Sequence, residues 1–253
     1  MNEVACNNEA YCPTSTEQLA NVLSHAVAII PSFFGLNCLL QNASSSYEWR
    51  SACIFGVGTS TLFILSTVYH IAFYWKRKTR LRFVLHVTDR VAIYIFIASS
   101  YTPWLVLRTV SRSDGVAGFL AQNMLVIVWL LAFAGIVYQV AFHERYKLIE
   151  TTVYIFVALF PAQVVFSMDK LSGVSWGALG GMCYACGVVF FKMDGRIPCA
   201  HAIWHMHVLV GAAFHYHAVS TYLIGTDTNY IIPVPSHGPT MIAGSHSVSN
   251  ANN

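Results

Sequence analysis

The chain has 253 residues, of which 56% are apolar and 10% charged, and its formal net charge is +3. A soluble domain carries about a quarter charged residues, so this sequence lacks the charge to wet a globular surface, and its mean hydropathy of +0.55 agrees. A net charge of +3 over 28 kDa leaves no basic footprint for nucleic acid, and seven cysteines in so long a chain exclude a disulfide scaffold. Bilayer is the solvent that suits this composition.

Residues 1–17 are polar and contain no Lys or Arg. A secretory signal needs a basic stretch before its apolar core, so the first apolar run is expected to stay in the protein. Seven such runs follow, near 18–40, 51–75, 83–107, 119–141, 149–167, 173–191 and 198–224. Most are too long and too apolar all round for a soluble core. Pro31, Pro103 and Pro161 lie inside or beside them, and neighbouring helices can satisfy the backbone groups that proline frees. The expectation is an all-α membrane protein, with a seven-helix transmembrane bundle over 18–224. A disordered tail, rich in Ser, Asn, Gly, Pro and His, should run over 225–253.

Orientation follows from the basic residues. Lys76, Arg77, Lys78, Arg80, Arg82, Arg90, Arg145, Lys147, Lys192 and Arg196 lie on the side shared with the N-terminus, against Arg50, Arg108, Arg112 and Lys170 opposite. Ten against four places the N-terminus in the cytoplasm and the C-terminus in the lumen or outside. Asn42-Ala43-Ser44 is then a glycosylation sequon on the luminal side, in a loop so short that it can go unused.

Ionisable groups inside spans are costly and are functional candidates by default. At 1.5 Å per residue, His70 lies roughly 8 Å, Asp89 roughly 9 Å, His201 roughly 4 Å, His205 roughly 10 Å and His25 roughly 10 Å from the cytoplasmic ends of their spans. Antiparallel helices therefore bring all five into one slab. His201 and His205 are spaced i, i+4 and share a helix face. With His70 they could supply three nitrogens to one metal and leave a fourth position for water, the catalytic zinc pattern. Ser66, one turn from His70, and Asp89 stand ready to hydrogen-bond that water, with Asp89 the natural base.

Plainer readings exist for each residue. An isolated His pair is often packing, Asp89-Arg90 could be an interfacial ion pair, and Ser66 could bond back to its own helix. The shared depth favours the site. Cys183 and Cys186 read as small hydrophobes, while His215 and His217 read as polar contacts in the bundle interior.

Glu17-x3-Asn21-x3-His25, Ser66-x3-His70, Asp89 and His201-x3-His205, in that order, resemble the progestin and adipoQ receptor family. That family includes the adiponectin receptors and the bacterial haemolysin III proteins. The stretches S-T-V-Y-H, S-Y-T-P-W-L, F-F-K-M-D-G and I-P-C-A-H-A-I-W-H look closest to its macrophage-differentiation branch. The resemblance implies seven spans, an inner N-terminus and Zn²⁺ held by His70, His201 and His205, with Asp89 and Ser66 around its water. It also implies that Glu17, Asn21 and His25 support the site from the first span. Family members show or are suspected of ceramide-amide hydrolysis.

Two functions fit the sequence. One is a zinc-dependent hydrolase of lipid amides, taking a membrane lipid as substrate or ligand. The other is a signalling receptor or scaffold in which zinc is structural and cytoplasmic signalling proteins are partners. A channel fits less well, because the polar groups cluster on one side. Family likeness points to endomembranes, Golgi or late endosome and lysosome, over the plasma membrane.

Overall fold

The structure, a computed structural model, describes residues 12–74, 80–110, 115–143 and 145–225. Among these there are seven α-helices: α1 (Ser15–Asn42), α2 (Ser46–Tyr74), α3 (Arg80–Leu107), α4 (Gly115–Phe142), α5 (Lys147–Leu159), α6 (Val174–Phe191) and α7 (Ala200–Tyr222). A 3₁₀ segment, Phe160–Ser167, continues α5. Each helix overlaps one apolar run of the sequence. Lys76, Arg77, Lys78 and Arg112 of the orientation set, the tip through Tyr11 and the tail from Thr226 lie outside the described residues.

Five segments are long and apolar enough to cross a bilayer: α1, α2, α4, Leu148–Ser167 and α6. Neither α3 nor α7 is among them. The first carries Arg80, Arg82, Asp89 and Arg90, the second five histidines. Those two deficits in apolarity fall on the helices that carry candidate site residues.

Pro161 explains the break after α5. It has no N–H for the helical ladder, and from Phe160 the chain tightens into 3₁₀ geometry. In lipid a backbone carbonyl must find a donor within the protein. The Tyr101 hydroxyl of α3 supplies one to Ala158.

Packing runs around the bundle, α1 against α2, α2 against α3, α3 against α4, and α7 against both α6 and α1. The α1–α7 contact joins the first helix to the last. At the end of the bundle away from the histidines, two buried charges close it. Glu48, fully buried, accepts from the Ser44 and Gly225 amides at 2.8 and 3.0 Å. Arg108 donates to the Tyr222 carbonyl at 2.8 Å and the Ser172 hydroxyl at 3.0 Å. Asn42, the sequon residue, is exposed in the last turn of α1 and donates to the Cys38 carbonyl at 2.8 Å.

The α3–α4 seam depends on a missing side chain. Tyr94 is 0% exposed, and a Cβ at Gly135 would sit 2.2 Å from its ring. Gly135→Ala is expected to destabilise the bundle by about 1–3 kcal/mol through overpacking, read as a lower unfolding temperature in detergent. Gly181, where a Cβ meets nothing within 4 Å, is the control: Gly181→Ala should leave stability equal or higher, since alanine is the better helix former.

Candidate metal centre

Helix α1 is built inside out for a helix in lipid. Val27 and Ile30 are 59% and 80% exposed, whereas Glu17, Gln18, Asn21, Ser24 and His25 are buried. Helical spacing gathers these five on one face, turned toward α2 and α7. Thr14 and Glu17 form a capping box at its start: Thr14 Oγ1 accepts from the Glu17 amide at 3.3 Å, and Glu17 Oε2 accepts from the Thr14 amide at 2.9 Å. The second oxygen of Glu17 accepts from the Cys199 amide at 2.9 Å.

Cys199 is the N-cap of α7 and has φ 57°, ψ 22°, the one non-glycine residue with positive φ among the described residues. Left-handed backbone costs an L-residue roughly 1–2 kcal/mol. It is held two residues before His201, so Glu17 sets the angle at which α7 delivers its histidines.

His70 from α2 meets His201 and His205 from the start of α7. Ring centroids are 5.2 Å apart for His70–His201, 5.0 Å for His70–His205 and 4.6 Å for His201–His205. One ligand atom from each lies within 4.8 Å of the other two. Tetrahedral zinc wants its nitrogens about 3.3 Å apart, a contraction within side-chain reach.

The Nδ1 atom of each ring has a partner from elsewhere in the fold. His201 Nδ1 lies 2.8 Å from Asp194 Oδ2, whose carboxylate can only accept, so Nδ1 carries the proton and Nε2 is left basic. His205 Nδ1 lies 2.8 Å from Ser24 Oγ. The Ser24 hydroxyl already donates to the Asn21 carbonyl at 2.9 Å, so its lone pair accepts from His205 and again Nε2 stays basic. His70 Nδ1 lies 3.2 Å from Gln18 Nε2, while His70 Nε2 and Gln18 Oε1 are buried without partners. The same Gln18 Nε2 donates to the His70 backbone carbonyl, which holds the carboxamide with its nitrogen toward His70. Three imidazoles with no fourth protein ligand in the group fit a catalytic zinc pattern better than a closed structural one.

Asp89 is buried, within electrostatic reach of Arg90 and His201, and faces the Ser66 hydroxyl. Ser66 Oγ makes no formed hydrogen bond, so it does not bond back to its own helix. The Asp89-Arg90 dipeptide is also not a simple ion pair: Arg90 binds Glu150 on α5 at 3.2 Å and lies over the Phe191 ring at 4.7 Å. His25 stacks flat on His205, with centroids 3.7 Å apart. Asp89 is not alone among the buried carboxylates of the described residues. Glu17, Glu48 and Glu150 are buried as well, each held by backbone amides or by arginine. His217 is exposed on α7 and packs against Trp176, not in the interior. Cys183 and Cys186 are free.

Gln18, Ser24 and Asp194 escaped the sequence reading, because no spacing rule links them to histidines distant in the chain. A chain of polar contacts was also missed. Tyr154 donates to Gln139 Oε1 at 3.1 Å, Gln139 Nε2 meets His143 Nδ1 at 2.6 Å, and His143 Nε2 meets His86 Nδ1 at 2.9 Å. His86 stacks on Tyr69, next to His70, with centroids 4.7 Å apart. The signal available for it was His86 lying three residues before Asp89.

Partners of this kind typically change metal affinity 10- to 100-fold. Asp194→Asn should therefore weaken zinc binding by about 10- to 100-fold in competition against a chelator. Ser24→Ala should cost less, because a neutral partner polarises its imidazole less. Equal affinities for wild type and Asp194→Asn would remove the metal centre from that histidine.

A family model described as Haemolysin-III related matches residues 14–216, which includes every residue of the site. The chain is 44% identical over 234 residues to monocyte to macrophage differentiation factor of Rattus norvegicus, covering 91% of this chain and 94% of that protein. The Homo sapiens protein of the same name is 43% identical over the same shares. A hemolysin-3 homolog of Bacillus subtilis (strain 168) is 33% identical over 217 residues, 83% of this chain and 96% of its own length. With these matches running through all four motif elements, the chain belongs to the haemolysin-III-related family, that of the progestin and adipoQ receptors.

Proposed function

We propose that this multi-pass membrane protein is a zinc-dependent hydrolase of lipid amides, with all seven helices crossing the bilayer and the N-terminus in the cytoplasm. One observation carries the reading. Among the described residues His70, His201 and His205 form a group of three with no fourth protein ligand, near the buried Asp89 carboxylate, which faces the buried Ser66 hydroxyl.

His70, His201 and His205 would hold the ion through Nε2. Zinc so held supplies Lewis acidity and water activated at neutral pH. Asp89 accepts the proton that the attacking water loses, and the Ser66 hydroxyl orients that water from the same side. The C–N bond of the amide breaks, the acyl carbon keeps the water oxygen as a carboxylate, and Asp89 returns the proton to the departing nitrogen. Arg90 pairs with Glu150 on α5. A membrane lipid reaches the site between helices. Family likeness supports an endomembrane, Golgi or late endosome and lysosome.

A second reading has one observation in its favour. The histidines tie α2 to α7, helices that do not otherwise pack as main neighbours, as a structural ion would in a receptor or scaffold for cytoplasmic signalling proteins. Two variants separate the readings. On the hydrolase reading Asp89→Asn lowers release of fatty acid from ceramide by about 10²–10⁴-fold with zinc retained, and His205→Ala loses both. Unchanged turnover in Asp89→Asn, or no release by zinc-loaded wild type, leaves the scaffold.

A further inference from the structure

Helix α1 carries buried polar atoms that make no formed hydrogen bond. Asn21 and His25 are 1% and 3% exposed, yet Asn21 Oδ1 and both ring nitrogens of His25 have no hydrogen-bond partner. They stand one turn apart on the buried face. The His25 ring lies 3.7 Å from that of His205 at an interplanar angle of 20°, and Phe63 closes on it edgewise at 5.3 Å. This stacking sets the two His25 nitrogens about one ring thickness from the plane in which the His205 Nε2 lone pair points. Buried polar groups are normally paired, and leaving them unpaired is destabilising. Three such atoms on one helix face, two of them on a ring stacked against the candidate metal ligand His205, mark the place of a ligand with matching donors and acceptors.

The match can be specified. A neutral imidazole presents one N–H, and a carboxamide oxygen presents only an acceptor. A secondary amide offers the complement, a carbonyl that accepts and an N–H that donates. An ester or a carboxylate has no donor for Asn21. We propose that Asn21 and His25 are the residues that select an amide: the His25 N–H donates to the ligand carbonyl, and Asn21 Oδ1 accepts the ligand N–H. The inference rests on the metal centre proposed above and adds what Asn21 and His25 do beyond supporting it. They touch the ligand, and Asn21 alone distinguishes amide from ester.

The test is a binding measurement on the zinc-loaded full chain carrying Asp89→Asn, so that cleavage does not consume the probe. Three probes share one long acyl chain: the N-methyl amide, the methyl ester and the free acid. The amide should bind about tenfold or more tighter than the ester, because a site built to pair an N–H rejects the analogue that lacks it. Asn21→Leu should bring amide affinity down to that of the ester and leave the ester unchanged. His25→Phe should weaken amide and ester alike. Zinc content equal to the parent shows that each variant is folded, and Asn21→Ala replaces Asn21→Leu should the latter lose zinc. Equal binding of amide and ester, or a preference that survives loss of the Asn21 carboxamide, overturns the proposal. Selective binding of the amide without any cleavage by wild type would instead overturn the hydrolase reading and leave this one standing.

Discussion

The Glu17 carboxylate is the constraint on which the histidine cluster, the candidate metal centre, depends. One oxygen completes the capping box that starts α1, and the other holds the amide of Cys199, the left-handed residue that starts α7. A single charged group thus fixes the first and last helices against each other at the level of the histidines. A carboxylate taking charge-assisted hydrogen bonds from backbone amides is a strong joint. It is all the stronger here, where little water competes. The direction in which His201 and His205 leave the backbone follows from that joint.

Around it the protein inverts the usual pattern of a helix. In lipid there is no gain in hiding apolar side chains from the surroundings, so the interior is free to hold polar ones. The buried face of α1 is polar from Glu17 to His25, and the outward face beside it carries Leu19, Leu23, Val27 and Ile30. What holds the helices together is close approach and polar pairing. Gly135 lets Tyr94 lie against α4, Arg90 reaches Glu150, and Gln139, His143 and His86 pass a line of contacts from α5 back toward α2.

Much of this was legible along the chain. Seven apolar runs became seven helices because span length and hydropathy are local properties. The i, i+4 pair of His201 and His205 was visible for the same reason, since both lie on one helix. That His70 and Asp89 sit at matching depth could be counted from the ends of their helices. The bundle's supporting contacts could not. Asp194, in the turn before α7, is only seven residues from His201 in sequence but outside any periodic pattern, and Gln18 and Ser24 lie 52 and 181 residues from His70 and His205. Burial of Glu17, Glu48 and Glu150 was equally hidden, because what makes a buried carboxylate tolerable is an amide or arginine arriving from another helix.

The sequence by itself determined the solvent, the number of apolar runs, the family motifs and the set of histidines that could hold a metal. Composition and helical period suffice for those, since each depends on neighbours in the chain. Only the tertiary structure decided which nitrogen of His201 and of His205 is left basic, that Arg90 reaches Glu150 across helices, and that Asn21 Oδ1 and the His25 ring are buried without a formed hydrogen bond. Hydrogen-bond roles are set by whichever atoms meet across helices, and that meeting is a property of the packed bundle.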